Sequence, residues 1–299
     1  MARKSKKTEN LTATDTLVKK HSQIGEMWRR FASNRLALAG LIIIVLLLLM
    51  VIFANLIAPY DPTAQNISER LQLPSAAHWM GTDNYGRDLL SRLIYGGRVS
   101  LLISMAGLLI ALVIGGILGA VAGYFGGICD QIIMRLMDIL MAIPGMLMAV
   151  MISALLGGGA INTAIAISIG GIAPSARLLR SNVMTMVGQE YVEAAKAQGE
   201  GNLRVILRQI LPNTLSPVIV DCTLRLGANI LQISMLSFIG LGVQPPTPEW
   251  GSIMNVGREY IMTFYPMLLF PGIFILLSMF GFNVMGDGLR DALDPKMKD

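Results

Sequence analysis

Asp221, Arg225 and Asn229 form the pattern in this sequence best suited to act on a charged solute. They follow one another at four-residue spacing inside a long apolar run, so a helix would carry all three on one face. A charge near the bilayer centre costs about 2.5–3.5 kcal/mol, and such residues usually face the interior of a helix bundle. Two interpretations follow: the three side chains line a solute path, or Asp221 and Arg225 form a local ion pair at the end of a membrane span.

The other reactive residue types are not spaced for catalysis or metal binding. His21 and His78 are far apart and have no neighbours at ligand spacing. Cys129 and Cys222 give no disulfide framework. The sequence contains no Gly-x-x-x-x-Gly-Lys-Ser/Thr, so ATP would have to be bound by another chain. We therefore expect no catalytic residue, no metal site and no cofactor bound by this chain. The basic residues are not interleaved with aromatic residues on one face, so we do not expect the chain to bind nucleic acid.

The composition predicts a membrane protein that positions these residues on transmembrane helices. Of the 299 residues, 54% are hydrophobic and 14% charged, with a mean hydropathy of +0.60. Soluble domains carry about 25% charged residues. We predict an all-α polytopic membrane protein with six transmembrane helices. The predicted spans cover residues 36–58, 99–125, 136–156, 160–176, 216–240 and 261–286.

The distribution of Lys and Arg predicts the orientation of these spans. An even number of crossings places both termini on one side. Basic residues are concentrated in 1–35, 177–208 and 289–299, and few lie in 59–98. The positive-inside rule therefore predicts cytosolic termini and an extracytoplasmic loop over 59–98. Residues 1–35 are predicted to form a cytosolic tail with an interfacial amphipathic helix, and 99–288 a five-helix core.

Residues 188–213 are predicted to form a compact helix-turn-helix outside the membrane. Strong helix formers extend to Gly199, after which Asn202 is expected to cap a second short helix that Pro212 ends. The alternative is an amphipathic loop resting on lipid headgroups.

Gly115, Gly119, Gly123 and Gly127 recur every four residues along the second predicted span. Such a strip allows close approach of a neighbouring helix, and we interpret it as a packing surface rather than a hinge.

Five motifs give the sequence a family resemblance. The first is Glu193-Ala194-Ala195 with Gly199, followed by Leu211-Pro212, which resembles the EAA loop of membrane subunits of ATP-binding-cassette (ABC) importers. The other four narrow the resemblance to the C-type permease subunit of dipeptide, oligopeptide or nickel importers, and the match extends from about Trp28 onward. They lie at 78–83, 86–92, 244–251 and 282–291.

The resemblance implies a type I ABC importer permease in a bacterial or archaeal cytoplasmic membrane, with di- or oligopeptides as the expected substrates. It implies four partner chains: a sister permease that completes a heterodimer, two cytosolic ATPases that bind ATP and Mg, and an extracytoplasmic substrate-binding protein.

The resemblance also implies site residues. The EAA loop would be a coupling helix that docks into a cleft on an ATPase, through Glu190, Glu193, Ala194, Ala195, Gly199, Leu211 and Pro212. Separately from the resemblance, the polar stripe of Asp221, Arg225 and Asn229 is hypothesised to line the path of a zwitterionic peptide. The chain departs from the family pattern at Asp221 and Arg225, so the resemblance offers no role for these two.

A second predicted contact lies outside the membrane. Residues 87–98 are expected to form an interfacial helix, with Asp83, Arg87, Asp88 and Arg92 contacting the binding protein or forming an outer gate. The alternative is a strut on the membrane surface.

A different class of protein, an ion-coupled secondary transporter, would use Asp138, Asp221 or Arg225 as a relay. Such transporters usually show interrupted spans in two corresponding halves, and no clear internal repeat is present in this sequence.

Overall fold

The computed structural model describes residues 23–293, so residues 1–22 and 294–299 of the two predicted tails lie outside the described residues. Within the described range the regular elements are helical, and one isolated β-bridge joins Thr82 to Asp88. The helices are α1 Gln23–Ser33, α2 Arg35–Ile52, α3 Ala54–Ile57, α4 Leu89–Phe125, α5 Gly127–Met141, α6 Gly145–Leu156, α7 Ala160–Val187, α8 Glu190–Ala197, α9 Asn202–Val205, α10 Leu215–Phe238, α11 Trp250–Gly257 and α12 Pro266–Leu293.

Four helical segments of the described chain are long and apolar enough to cross a membrane, and a fifth crossing is possible as a bent pair. The four are Arg35–Ile52, Leu89–Phe125, Asn202–Phe238 and Pro266–Leu293. Helix α7, which contains the predicted fourth span, does not meet the same standard of length and apolarity. The all-helical, multi-span prediction is confirmed, and the sixth crossing stays a prediction.

The predicted third span is broken. Helices α5 and α6 meet at an angle of 81°, with Ala142, Ile143 and Pro144 between them. Proline has no N–H to donate and disfavours helical backbone in the residue before it, so α5 ends ahead of Pro144. Pro144 itself has ψ of 129°, and a new helix starts at Gly145.

The second predicted span begins earlier in the structure, at Leu89 rather than about Val99. The predicted interfacial helix is therefore the first part of α4 and not a separate element. Asp88 starts this helix by accepting a hydrogen bond from the Ser91 N–H at 2.7 Å. At 37 residues α4 is about 55 Å long, which exceeds a hydrocarbon core of about 30 Å.

The second half of the predicted helix-turn-helix also differs. The chain stays helical past Pro212: α9 continues through a π turn at 206–210 and a 3₁₀ turn at 211–214 into α10. Pro212 lies in the first turn of the 3₁₀ segment, where a missing N–H is tolerated. Asn202 does not cap α9, since its side chain accepts a hydrogen bond from the Tyr124 hydroxyl at 2.9 Å.

Helices α4 and α7 pack together along three of the four glycines in the strip. A Cβ at Gly119 would overlap the carbonyl oxygen of Ala176, and one at Gly123 would lie 2.8 Å from the carbonyl oxygen of Arg180. Gly115 is equally close to α7, whereas Gly127 starts α5 and has open space around it. The packing interpretation is confirmed for the three glycines inside α4.

The largest hydrophobic cluster joins α2, α4, α10, α11 and α12. Trp250 is fully buried at its centre and donates a hydrogen bond from Nε1 to the carbonyl oxygen of Leu93 at 2.9 Å. This bond fixes the short helix α11 against the first turns of α4.

Glu249 precedes α11 and is fully buried. One carboxyl oxygen accepts the Ser252 N–H at 2.8 Å and caps α11, while the other accepts the Ser100 hydroxyl at 3.0 Å. Burial raises the pKa of Glu249, and the hydrogen bonds from the N–H groups of Gly251 and Ser252 oppose that rise. The carboxyl group links α11 to α4 without a charged partner among the described residues.

We expect Glu249→Gln to flatten the pH dependence of stability. A carboxyl whose pKa is raised by folding holds its proton more tightly in the folded state, so its contribution to the unfolding free energy falls as pH rises above the ordinary value of about 4.3. Glutamine is neutral and keeps the acceptor for Ser252. The measurement is thermal unfolding in detergent between about pH 4 and pH 8. The difference in unfolding temperature between the wild-type chain and Glu249→Gln should narrow or reverse toward high pH. A difference that stays constant across this pH range would contradict the expectation.

Candidate coupling and translocation sites

The hairpin formed by α8 and α9 is seated on the rest of the molecule through its own hydrophobic cluster. Val192 and Ala195 of α8 are buried against Val183 of α7, with Val205 from α9 in the same cluster. Because the cluster also includes Ala120 of α4, the hairpin is attached to the α4–α7 pair.

The exposed face of α8 carries most of the residues predicted for coupling. Glu190, Glu193 and Ala194 are exposed, as are Gly199 and Pro212, while Leu211 is half-buried. Ala195 is 7% exposed and lies in the cluster, so the two adjacent alanines do not form one surface. Ala194 is the alanine available to a partner.

Gly199 makes the chain reversal between α8 and α9. Its φ is +82°, in the left-handed region that favours glycine. The Gly199 N–H donates to the carbonyl oxygen of Lys196 at 3.0 Å, and the Glu200 N–H donates to that of Ala195 at 3.1 Å. These bonds end α8 as a glycine-based helix cap does, and they direct the chain back toward α9.

The predicted polar stripe is present on α10. The Arg225 Nε lies 2.5 Å from the Asp221 Oδ2, and its Nη1 donates to the carbonyl oxygen of Gly171 on α7 at 3.3 Å. The Asn229 amide donates to the carbonyl oxygen of Ser104 on α4 at 3.4 Å. The stripe therefore connects α10 to α7 and α4, and the local ion pair of the second interpretation is formed.

A cavity of about 220 Å³ lies between α4, α7 and α10, with Gly145 of α6 at its edge. Arg225, Asn229 and Gln232 supply its polar lining, and Asp221 lies outside it. Sequence reasoning missed the wall of glycines opposite these side chains, because the wall forms only when α4 and α7 come together. The glycines in the lining are Gly107, Gly145, Gly170 and Gly171.

The charged residues predicted to contact a binding protein are buried where the loop before α4 packs on the first turn of that helix. Asp83, Arg87, Asp88 and Arg92 are each less than 5% exposed. Asp83 pairs with Arg87 at 2.6 Å and with Arg92 at 3.3 Å. These buried side chains hold the loop together and cannot contact a partner directly.

His78 was not predicted to take part in this network. Its Nδ1 lies 2.9 Å from the Asp88 carboxylate, and its ring packs on Tyr60 at 4.8 Å between ring centroids. Trp79 of the same loop is 73% exposed. The spacing of charges in the sequence provided no signal for the burial of the four charged residues, since both their pairing and their burial depend on how the loop folds.

Long apolar helices, a hairpin seated beside them and a polar cavity between them define a membrane subunit of a transport system. The chain belongs to the family of binding-protein-dependent transport system inner membrane components, whose pattern matches residues 96–299. Residues 22–74 match the N-terminal TM domain of oligopeptide transport permease C. The predicted family is thus confirmed, and the chain is a permease subunit of an ABC importer, a non-enzymatic membrane component.

Curated relatives match the chain nearly end to end. It is 46% identical to the di/tripeptide transport system permease protein DppC of Pseudomonas aeruginosa, a match that covers 97% of this chain and 98% of that protein. It is 46% identical to the dipeptide transport system permease protein DppC of Alkalihalophilus pseudofirmus, covering 91% and 90%. It is 40% identical to the glutathione transport system permease protein GsiD of Pectobacterium atrosepticum, covering 91% of each.

A solved structure shares the fold. The chain superposes on a subunit of an inward-facing MetNI methionine ABC transporter with a TM-score of 0.55 and 16% sequence identity. The match covers 69% of this chain and 98% of that one. At this identity the likeness concerns the fold alone.

Proposed function

We propose that this permease subunit moves di- or oligopeptides across a bacterial or archaeal cytoplasmic membrane. The observation that carries the proposal is the nearly full-length similarity to relatives named for dipeptide, di/tripeptide and glutathione transport. The complete importer would contain this chain, a sister permease, two cytosolic ATPases that hold ATP and Mg, and an extracytoplasmic binding protein.

In this proposal α7 crosses the membrane as the fourth of six spans, and both termini and the α8–α9 hairpin lie in the cytosol. The support is the concentration of basic residues in the hairpin and in both tails. Arg177 and Arg180 then lie toward the cytosolic end of α7, where Arg180 pairs with Asp130 and Arg177 with Asp138.

The hairpin would be the contact for an ATPase. Helix α8 has one face packed on the permease and an opposite face that carries Glu190, Glu193 and Ala194. Because the hairpin shares its cluster with α4 and α7, movement of a docked ATPase would reach the helices that wall the cavity. Asp221, Arg225 and Asn229 would then lie beside the solute path, with Asp221 orienting Arg225.

We expect Ala194→Trp to abolish ATPase binding while leaving the permease folded. The indole adds bulk to the exposed face of α8, opposite the cluster that seats the hairpin on the permease. The measurement is co-purification of the ATPase with the tagged permease pair. Ala77→Trp is the matched control, because Ala77 is also exposed and lies in the loop before α4. Equal ATPase recovery with the wild-type and Ala194→Trp chains would contradict the proposed docking face.

Transport itself is tested by reconstitution of the full importer in proteoliposomes. ATP on the ATPase side, with the binding protein and a labelled dipeptide on the other side, should give uptake that stops when any one component is omitted. An ion-coupled transporter would instead move the dipeptide with the permease chains alone under an ion gradient, and that result would overturn the proposal.

A further inference from the structure

We propose that Arg225 binds the terminal carboxylate of the transported peptide, so that the membrane cavity itself selects for short zwitterions. This inference rests on the proposed function, since it takes a peptide as the solute. It goes further because it assigns the Arg225 guanidinium as the contact for the C-terminal carboxylate of the peptide.

The hydrogen bonds of Arg225 leave one carboxylate-binding edge of the guanidinium open. Guanidinium binds carboxylates most strongly through two parallel N–H bonds. Asp221 engages Nε, and Gly171 accepts a long bond of 3.3 Å from Nη1. Among the described residues Nη2 has no partner. The edge formed by Nη1 and Nη2 is therefore available, while the bond to Asp221 holds the group in place.

The surroundings of Arg225 fit the end of a peptide. The cavity of about 220 Å³ is smaller than the roughly 300–1,000 Å³ typical of sites for drug-sized ligands. Glycines at 107, 170 and 171 form much of its wall, so no side chain of these three residues occupies the cavity. The wall is backbone at close range, which leaves room for a terminal carboxylate and one residue.

Asn229 is placed to meet the other end of a dipeptide. Its Nδ2 donates to the carbonyl oxygen of Ser104, and its Oδ1 has no hydrogen-bond donor among the described residues, so Oδ1 can accept a hydrogen bond from an ammonium group. The Cα atoms of Arg225 and Asn229 are one helical turn apart, about 6 Å along the axis. The Arg225 guanidinium leans toward Asp221, so the two polar groups lie farther apart than the Cα atoms, and an extended dipeptide spans about 7 Å. Both residues line the cavity.

Charge also favours a zwitterion. Asp221 and Arg225 sum to zero, so a peptide with one carboxylate and one ammonium adds no net charge to the membrane interior. A peptide amide lacks the carboxylate and would bring a single positive charge, which is costly there. Because Asp221 and Arg225 already neutralise each other, a solute with a net charge would leave that charge uncompensated beside them.

The test is equilibrium binding to the purified importer without its binding protein, so that the binding protein cannot select the peptide first. Labelled alanyl-alanine is displaced by unlabelled alanyl-alanine or by its C-terminal amide. With the wild-type importer we expect the amide to compete at least tenfold more weakly. Arg225→Gln and Arg225→Lys should both reduce the preference for the free dipeptide over its amide to less than about threefold, because neither side chain is a bidentate hydrogen-bond donor to a carboxylate.

Arg177→Gln is the matched control, since Arg177 also pairs with an aspartate, at 2.5 Å, but does not line this cavity. It should keep the preference. If Arg225 had only a structural role, Arg225→Lys would restore the pair with Asp221 and keep the preference, and that result would overturn the inference. Absence of alanyl-alanine binding to the wild-type importer would also overturn it. The proposed function fails separately, if the reconstituted wild-type importer takes up no peptide.

Discussion

Gly199→Pro is expected to reduce ATP-driven uptake by more than tenfold and to release the ATPase from the permease. Proline holds φ near −65°, whereas Gly199 has a φ of +82°. Proline also lacks the N–H that Gly199 donates to Lys196. The reversal between α8 and α9 would be lost, and Val192 and Val205 would no longer meet in one cluster. A proline in an incompatible position costs about 3 kcal/mol or more, enough to detach the hairpin.

The control for this substitution is Gly201→Ala, two residues further on. Gly201 has a φ of −66°, and an added Cβ would have no atom within 4 Å. We expect wild-type uptake and ATPase recovery from that chain. The large cluster around Trp250 shares no residue with the hairpin cluster, so Gly199→Pro should keep its main thermal unfolding transition. Normal uptake by the proline variant would exclude the hairpin from coupling.

The second large effect is expected from Gly119→Ala, which should lower the unfolding free energy by about 2–3 kcal/mol. The added methyl group would overlap the carbonyl oxygen of Ala176, and backbone cannot move aside as a flexible side chain does. The α4 and α7 helices would have to separate. The measurement is thermal unfolding of the purified permease pair in detergent.

Gly116→Ala separates this steric effect from the general effect of alanine on a helix. A Cβ at Gly116 would meet only the Leu179 Cγ at 3.9 Å, an ordinary contact. Alanine has the better helix propensity, so Gly116→Ala should be neutral or slightly stabilising. Equal unfolding temperatures for the two variants would show that close packing at Gly119 is not a source of stability.

Local patterns in the sequence predicted several helices and the residues through which they form an ion pair or pack closely. The run from Leu36 became α2, and Asn34 starts it by accepting hydrogen bonds from the N–H groups of Leu36 and Ala37. Four-residue spacing placed Asp221 and Arg225 in contact, and the glycine strip identified the close helix pair. Each of these depends on neighbours within a turn or on a repeated residue type, which a sequence displays directly.

The errors came from features that depend on distant parts of the chain. Pro144 breaks a span and Pro212 does not, although both follow apolar residues, because Pro212 falls where a π turn passes into a 3₁₀ turn. Asp83 and Arg92 looked like surface charges but are buried against each other by the folding of a loop of some thirty residues. The cavity beside Arg225 is formed by several helices and has no signature in any one of them.

The break between α5 and α6 has a consequence for the lipid around the importer. Ala142, Ile143 and Pro144 are exposed in the single chain, and irregular backbone is not found in direct contact with acyl chains. The 15 and 12 residues of the two helices reach only about 22 Å and 18 Å, each short of the hydrocarbon thickness. In the assembled importer this bend therefore needs a hydrated crevice or another subunit beside it, and annular lipid should be excluded from this side of the molecule.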